Sequence, residues 1–343
     1  MNATRTLGQI GVTLHTADMS VDELLDYARE AERLGYEGVW LTEESGKEAF
    51  SLLALLARAT TRITLGTGIV SFYSRTPTLL AMGASTIQRL SGGRFVLGIG
   101  SGGIGFVERG HGITIEKPLA RARETVDIVR GLLTQKRFDY DGRWFKVRDF
   151  HLREEVPEAP VPIVLAALGP KMVRLSAEIA DGFIANWLTE ESLAIYREQI
   201  RAGAEVAGRD PKNIKVMTLA MTATEDDAGV EAMRQGLAFY YASPHYHPLA
   251  EAAGFGGEAK GIQSVWQTGD RKRAASLVTD AMVEKLAIMG SREARMAKLE
   301  WMYREGVYPL IYPVPARNRR VDDHFEVIKL IAAYRRGVIG TKR

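Results

Sequence analysis

The stretch from Arg62 to Gly103 constrains the fold more than any other part of the sequence. Its first part, Ile63 to Val70, is an apolar, strand-like run, and a second such run from Phe95 to Ile99 opens into a series of glycines. Between them, apolar residues recur at helical spacing and stop at Gly92-Gly93, a typical helix C-terminus. The stretch therefore predicts a βαβ unit. Because both strands are apolar throughout, we expect both of their faces to be covered.

The rest of the chain alternates in the same way. Predicted strands are Leu7–Leu14, Gly38–Leu41, Ile63–Val70, Phe95–Ile99, Ile163–Ala167, Gly182–Trp187, Ile214–Met221 and Tyr308–Pro313. Predicted helices are Ser20–Leu34, Ala49–Thr60, Leu79–Leu90, Leu119–Thr134, Pro170–Ala180, Glu190–Ala207 and Asp322–Tyr334, with a small hairpin over Phe138–Val147. Eight strands alternating with helices fit an α/β fold of the closed (β/α)8 TIM-barrel type better than an open sheet. Residues 222–306 are predicted to be a mostly helical insertion between strands seven and eight.

The length of the chain allows more than one domain organisation. At 343 residues it could form two ordinary domains or one large barrel, since such barrels often exceed about 250 residues. No internal repeat, low-complexity segment or Gly/Ser/Pro-rich linker divides the sequence. We therefore expect a single domain over residues 1–343.

Composition excludes several classes of function. The 45 basic and 42 acidic residues nearly balance, and no basic run is interleaved with aromatics, so nucleic acid is not an expected partner. Cysteine is absent, which excludes disulfides, thiolate metal sites and a cysteine nucleophile. Neither a signal peptide nor a spanning segment is apparent, so we expect a cytoplasmic protein that does not bind membranes. The expected partners are a small-molecule substrate and further copies of the chain, in a homodimer or larger homo-oligomer.

Several motifs together carry a family resemblance. LGTGI, SRTP and LSGGRFVLGIGSG, preceded by GYEGVWLTEESGKEAF and followed by PVPIVLAALGPKMVRLSAEIADGFIANW, are similar to the bacterial-luciferase-like superfamily. Within it, the chain most resembles the methylenetetrahydromethanopterin reductase group, which uses the deazaflavin coenzyme F-420. The resemblance is close from Gly8 to Trp187 and looser beyond. It implies a barrel, a deazaflavin bound at the barrel mouth and hydride transfer.

In barrels of this kind the chemistry lies in the loops that follow the strands. The predicted strand ends are rich in glycine and in a few polar groups, a pattern that suits a flat aromatic cofactor lying on backbone. The candidate cofactor-binding residues are His15, Thr42, Gly68, Ile69, Gly100, Ser101, Gly102, Ala167, Leu168, Gly169, Pro170, Lys171, Met172 and Asn186.

Two segments in this set acquire specific roles from the resemblance. In the deazaflavin-dependent relatives, the pair matching Gly68-Ile69 is joined by a cis peptide that supports one face of the ring; alternatively, these residues belong to a plain barrel strand. The loop Ala166–Met172 matches the family's phosphate loop. A glycine followed by a helix start suits an anion, and Lys171 is either an additional charge or an ordinary surface lysine.

The glycine-rich loop from Gly98 to Gly112 is not a Rossmann fingerprint, because it follows a fourth strand and lacks the acidic residue at the required distance. Close relatives often have Trp-His-Gly where this chain has Gly110-His111-Gly112. His111 is therefore a candidate to contact cofactor or substrate, or else a structural or exposed loop histidine.

Glu43 is the second candidate for catalysis. Many related sugar and alcohol dehydrogenases have Asp-His at this point and a glutamate near position 103, whereas this chain has Thr42-Glu43 and Gly103. Their mechanism is therefore not expected to apply unchanged. Glu43 could still exchange a proton if it lies desolvated beside the ring; alternatively, Glu43 and Glu44 are a solvated loop pair.

The insertion contributes aromatic residues and two histidines. These are Phe239, Tyr240, Tyr241, His245, Tyr246, His247 and Trp266. His245 and His247 could form a metal pair, but two imidazoles alone are a weak signal, so we expect no metal centre. We expect these side chains to pack as a lid that shapes the substrate pocket.

The sequence thus predicts a coenzyme F-420-dependent oxidoreductase that transfers a hydride between C5 of the cofactor and a small organic substrate. Two alternatives stay open. One is an FMN-dependent luciferase-like monooxygenase, since both cofactors use the same barrel mouth. The other is a non-catalytic flavin-binding protein.

Overall fold

The computed structural model describes residues 10–135, 137–154 and 157–340, with side chains described as far as residue 334. Residues 7–9 of the predicted first strand and the basic end 341–343 lie outside the described residues. None of the helices in the described part is both long and apolar enough to cross a bilayer.

A closed parallel barrel forms the centre of the molecule. The strands in chain order are β1 (Gly11–His15), β2 (Gly38–Thr42), β3 (Thr64–Thr67), β4 (Val70–Ser71), β5 (Phe95–Gly100), β6 (Phe138–Asp141), β7 (Lys146–Phe150), β8 (Ile163–Ala166), β9 (Gly182–Asn186), β10 (Lys215–Thr222) and β11 (Val307–Pro313). The barrel is closed by pairing of β3 with β5, where Leu65 lies opposite Phe95. β4 continues the path of β3 and pairs with β5, while β6 and β7 form the predicted antiparallel hairpin. The predicted TIM barrel is confirmed.

Helices surround the barrel and build the predicted insertion. They are α1 (Val21–Leu34), α2 (Ala49–Ala59), α3 (Pro77–Leu90), α4 (Pro118–Thr134), α5 (Pro170–Ile179), α6 (Glu190–Val206), α7 (Asp227–Tyr241), α8 (His247–Ala252), α9 (Gly256–Gln267), α10 (Arg271–Ser276), α11 (Asp280–Leu286), α12 (Arg292–Arg304) and α13 (Arg320–Gly340). α7 to α12 lie between β10 and β11. Ser20 caps α1 and Glu23 completes the capping box, as the sequence predicts.

The long loop after β5 departs from the sequence prediction. Within it, Gly105–Gly110 forms a π-helical turn. Its start is fixed by the carbonyl of Gly103, which accepts from the N–H groups of Phe106 and Val107 at 3.0 and 2.9 Å. Glycines at both ends of the turn contribute no apolar periodicity, so the sequence pattern indicates only a loop.

Apolar packing fills the barrel and separately ties the insertion to it. Inside the barrel, Trp40 is fully buried and packs with inward side chains such as Met217 and Leu310. Gly66 faces the Trp40 indole so closely that a Cβ there would overlap the ring. A second cluster joins the insertion helices to Trp187 at the end of β9. Full burial of one large apolar side chain contributes about 1.5–3 kcal/mol, so the insertion is held on the barrel mouth by packing.

Candidate active site at the barrel mouth

The strand register brings the predicted strand ends together. His15 at the end of β1 lies opposite Thr42 at the end of β2, and Met221 of β10 lies opposite Tyr312 of β11. On the other side of the barrel, Ser71 is paired with Gly100. All barrel strands run in parallel, so their carboxyl ends share one rim. The structure therefore gathers the candidate residues that end these strands around one mouth.

The peptide between Gly68 and Ile69 is cis, as the resemblance implies. Gly68 N–H donates to the carbonyl of Leu41 at 2.8 Å, and the carbonyl of Ile69 accepts from Glu43 N–H at 3.3 Å. The Ile69 side chain packs against the apolar cluster inside the barrel. These contacts hold the segment between β3 and β4 beside the end of β2.

The neighbouring wall of the mouth consists of backbone from Gly100 to Gly102. A Cβ at Gly100 would lie 2.8 Å from the Cβ of Ala166, too close for any side chain without a shift. The carbonyl of Ser101 accepts from Ser71 Oγ at 2.8 Å. Gly102 has a φ of +76°, a left-handed conformation that favours glycine. Glycine is thus required here by close approach and by backbone conformation.

The predicted phosphate loop lies between β8 and α5. It is anchored by Ala167 N–H, which donates to the carbonyl of Ile184 at 2.9 Å, and by Tyr196 Oη, which donates to the carbonyl of Leu168 at 2.8 Å. Gly169 is the N-cap of α5, provides no capping side chain, and has open space beside the position of a Cβ. Gly169, Pro170 and Lys171 are exposed. The start of α5 is therefore accessible and carries the partial positive charge of a helix N-terminus.

An aromatic wall from the insertion closes the opposite side. Trp187, directly after β9, packs against the rings of Tyr240 and Tyr246 with centroid distances of 5.0 and 5.1 Å. The amide of Asn186 donates to Tyr246 Oη at 3.2 Å. The predicted insertion aromatics thus reach the mouth at Tyr240 and Tyr246.

Tyr241 is buried and also packs on Trp187, with a centroid distance of 5.0 Å, whereas the other insertion residues lie elsewhere. Phe239 is 61% exposed and packs on Trp266. His247 is buried with Nε2 3.1 Å from the carbonyl of Tyr241, whereas His245 is exposed, and the two do not form a metal cluster within the described residues.

Glu43 is held in an ion pair. Its carboxylate accepts from Arg75 Nη2 at 2.5 Å, and the Glu43 side chain is only 6% exposed. Oε1 also accepts from the backbone N–H of Ala49, at the start of α2, at 3.1 Å. Oε2 accepts from Arg75 Nε at 3.2 Å, so both oxygens of Glu43 are occupied by donors from the scaffold.

The adjacent Glu44 is the carboxylate whose charge acts on other titratable groups of the mouth. Its side chain is accessible to water, yet the surrounding protein raises the pKa of the carboxyl, and the charge of Asp18 raises it further. Burial raises the pKa of Tyr312, and the charge of Glu44 adds to that effect. Sequence reasoning named Glu44 only as the neighbour of Glu43 and missed its position. The signal was the pair of acidic residues that follows a barrel strand.

His111 lies at the end of the π-helical turn. Its ring is exposed and packs edge-on against Phe106 with a centroid distance of 4.6 Å. Within the described residues, no hydrogen bond joins His111 to another candidate residue. It is available to a ligand that reaches over the loop.

His15 is packed among aromatic and imidazole rings. Its ring centroid lies 4.2 Å from that of Tyr312 and 4.8 Å from that of His324. Desolvation, together with a smaller contribution from the nearby His324 imidazole, lowers the pKa of His15 to about 3, so the ring is neutral at physiological pH. Sequence reasoning found His15 but not Asp18 or His324, which the fold places beside it.

Comparison with known proteins identifies the family. A model of the luciferase-like monooxygenase family matches residues 3–308. The chain belongs to this family. The family resemblance predicted from the sequence motifs is thereby confirmed.

Two curated relatives match over nearly their whole length. The chain is 34% identical over 306 residues to 5,10-methylenetetrahydromethanopterin reductase of Archaeoglobus fulgidus, covering 87% of this chain and 91% of the relative. It is 31% identical over 304 residues to the enzyme of the same name from Methanolobus tindarius, covering 85% and 90%. A solved structure of coenzyme F-420-dependent tetrahydromethanopterin reductase from Methanopyrus kandleri matches with a TM-score of 0.84 and 24% identity, covering 98% of this chain and 99% of that chain. This last likeness supports the barrel fold.

Proposed function

We propose that this protein is a coenzyme F-420-dependent oxidoreductase that transfers a hydride between C5 of the deazaflavin and a small organic substrate. The observation that carries the proposal is the similarity to two methylenetetrahydromethanopterin reductases along almost their entire length. The same relatives favour a substrate with a reducible C–N bond, such as a cyclic imine or a reduced pterin, over an alcohol or ketone.

The geometry of the mouth fits a flat cofactor with a phosphate-bearing chain. Four positions, Gly68, Gly100, Gly102 and Gly169, which we call the glycine rim, present backbone without side chains. In this proposal Ile69 and Ser101 line the ring, Asn186 lies at its edge, and the start of α5 with Lys171 holds the phosphate. Thr42 donates to the carbonyl of Leu14 at 3.2 Å, so its contribution is to hold the rim in place. When bound, a deazaflavin supplies a two-electron hydride donor or acceptor at C5.

The protein's own acid–base contribution is assigned to Glu44. A proton donor has to be protonated near the working pH, and the raised pKa of Glu44 favours the protonated form. Glu43 is less suited to this role because Arg75 donates to both of its oxygens and Ala49 N–H donates to Oε1. His111 is proposed to contribute a polar contact from the exposed loop.

Tyr240 and Tyr246 are proposed to position the substrate and to exclude water. Burial raises the pKa of the Tyr240 phenol, with smaller contributions from the neighbouring Tyr312 and Tyr246, so it stays a neutral hydrogen-bond donor. Holding two reactants face to face in a dry site can supply much of the rate enhancement of a hydride transfer.

The test is to purify the protein from a host that makes both deazaflavin and flavin, and to record its absorption spectrum. One dominant violet band with bound deazaflavin is expected. A two-banded flavin spectrum would indicate the monooxygenase alternative, and no bound cofactor would contradict the proposal. Turnover is then measured with cyclic imines, pterins, enones, ketones and secondary alcohols. Cofactor binding without turnover of any of them would favour a flavin-binding protein.

A further inference from the structure

Beside the glycine rim lies a group of side chains to which the proposed hydride transfer gives no role. His15 ends β1, Asp18 lies in the loop that follows, and His324 lies near the start of α13. One ligand atom from each of these residues lies within 4.8 Å of the other two. We call them the His15–Asp18–His324 cluster. Its members are separated by as much as 309 positions in sequence, and closure of the barrel brings them together.

The hydroxyl of Thr13 contacts one ring nitrogen of His15. Thr13 Oγ1 lies 3.3 Å from His15 Nε2 and 3.3 Å from the carbonyl of Ile311. When the hydroxyl donates to Ile311, it accepts from Nε2–H of His15. In that tautomer the lone pair of the His15 ring is on Nδ1. A histidine whose other nitrogen donates to a neighbouring oxygen is the usual arrangement of a metal ligand.

The second imidazole is not satisfied by the protein. His324 is fully buried, and its Nδ1 has no hydrogen-bond partner among the described residues. Its Nε2 lies 3.5 Å from Asp18 Oδ2, which is long for a hydrogen bond. Two ligands that share a tetrahedral ion at about 2.0–2.1 Å are separated by about 3.3–3.4 Å. The spacing of Nε2 and Oδ2 is thus closer to an edge of a coordination tetrahedron than to a strong hydrogen bond.

A hydrogen bond from outside the cluster orients the carboxylate of Asp18. Arg320 Nη1 donates to Asp18 Oδ1 at 2.8 Å, which turns Oδ2 toward His324. Ligating carboxylates are typically held in this way by an outer partner. The Arg320 charge opposes a cation, but Arg320 is on the exposed side, with 52% of its side chain accessible. Water therefore screens much of that repulsion.

We propose that the His15–Asp18–His324 cluster binds one divalent transition-metal ion, with Zn²⁺ the best match to its ligands. Two imidazoles and a carboxylate are typical of zinc sites that keep a fourth position for water or substrate. The largest ligand separation, 4.8 Å, has to shorten by about 1.4 Å, through rotation of side chains rather than movement of the barrel. Because His15 contacts Tyr312 at the mouth, the open position is accessible to a substrate's polar group.

The experiment measures binding of the metal alone to cofactor-free protein, so its result does not depend on the proposed hydride transfer. Chelator-treated protein is titrated with Zn²⁺ by calorimetry, and with Co²⁺ while the visible absorption of a tetrahedral complex is followed. One equivalent of metal per chain is expected. Because loss of an outer partner alone weakens metal sites by about 10–100-fold, His15→Gln and Asp18→Asn should each weaken binding by at least about 100-fold.

Controls separate a lost ligand from a lost fold. His151→Ala removes an exposed histidine elsewhere and should leave affinity unchanged. Asp18→Asn is nearly isosteric, and unchanged circular dichroism and thermal melting would show that this variant is folded; His324→Ala is the third variant if it passes the same check. Failure of the parent to bind one equivalent, or equal affinity in the parent and Asp18→Asn, would overturn the proposal.

Discussion

The carboxylate of Glu43 is held on both oxygens by the guanidinium of Arg75. Nε of Arg75 donates to Oε2 at 3.2 Å, and Nη2 donates to Oε1 at 2.5 Å. Arg75 also binds Glu48, the N-cap of α2. The pair therefore connects the end of β2 to α2 and to the segment before α3, and it shapes one side of the mouth.

Replacing Glu43 should cost stability. Glu43→Gln removes a buried charge that satisfies Arg75, while Arg75 keeps its bond to Glu48. We expect the free energy of unfolding to fall by about 1.5–3 kcal/mol, the range for hydrogen bonds to charged groups. Urea denaturation measures the loss.

Asp26→Asn is the matched control, because Asp26 pairs with Arg29 on the surface and is 67% exposed. Its loss should stay below about 1 kcal/mol. Equal losses in the two variants would show that the Glu43–Arg75 pair is not a structural link.

Glu44→Gln should lower turnover, whereas Glu43→Gln is expected to lower stability. As the proposed proton donor, Glu44 is active while protonated, so the reduction rate should fall as pH rises through its raised pKa. In Glu44→Gln this fall of the rate with rising pH should disappear. Turnover at low pH should be about 10²–10⁴-fold lower than in the parent, and cofactor affinity should be retained. The stability effect has the same direction: the folded state holds the proton more tightly than the unfolded chain, so the contribution of Glu44 to stability is lost as pH rises. A profile identical to the parent's would remove Glu44 from the mechanism.

Glu43 and Glu44 show which features of the fold and of the site could be predicted from the sequence and which could not. The apolar runs and glycine-punctuated turns were enough to predict all eight barrel strands, because buried parallel strands have few other patterns. Which of two adjacent carboxylates faces the mouth depends on a one-residue register at the end of β2. Successive side chains there point in different directions, and no local pattern fixes which of them enters the mouth.

Contacts between residues far apart in sequence set the other limit on what could be predicted. Arg75 belongs to the SRTP motif, yet its partner Glu43 lies 32 positions earlier. Asp18 and His324 are 306 positions apart and meet because the last helix packs beside α1 and β11, the neighbours of the first strand. Contacts of this kind follow from closure of the barrel. Periodicity and spacing, which describe neighbours in sequence, could not predict them.

His111 is expected to contribute binding rather than proton transfer. It is exposed and packs edge-on against Phe106, so His111→Ala should change stability by no more than about 0.5 kcal/mol. Loss of one hydrogen bond to a ligand should raise KM about tenfold with kcat nearly unchanged. His111→Gln keeps hydrogen-bonding capacity and should recover part of the loss. A fall in kcat of about 10²–10⁴ with unchanged KM would instead make His111 the acid.

The start of α5 offers the sharpest test of where the cofactor's phosphate lies. Gly169 has a φ of −107°, which any residue adopts, and no atom lies within 4 Å of where a Cβ would be. Gly169→Val should therefore fold normally, with a loss of at most about 1 kcal/mol for the poorer N-cap. The added side chain would occupy the space through which a phosphate reaches the helix N-terminus. Affinity for the deazaflavin should thus fall at least about tenfold, or about 1.4 kcal/mol.

Fluorescence titration with the deazaflavin measures that affinity, and thermal melting reports the fold. Gly257→Val is the matched control, since Gly257 is also exposed at a helix start with open space beside it, but lies on α9 in the insertion. It should leave affinity unchanged. If Gly169→Val also binds the deazaflavin as the parent does, the phosphate does not approach α5, and the cofactor has to be anchored elsewhere on the rim.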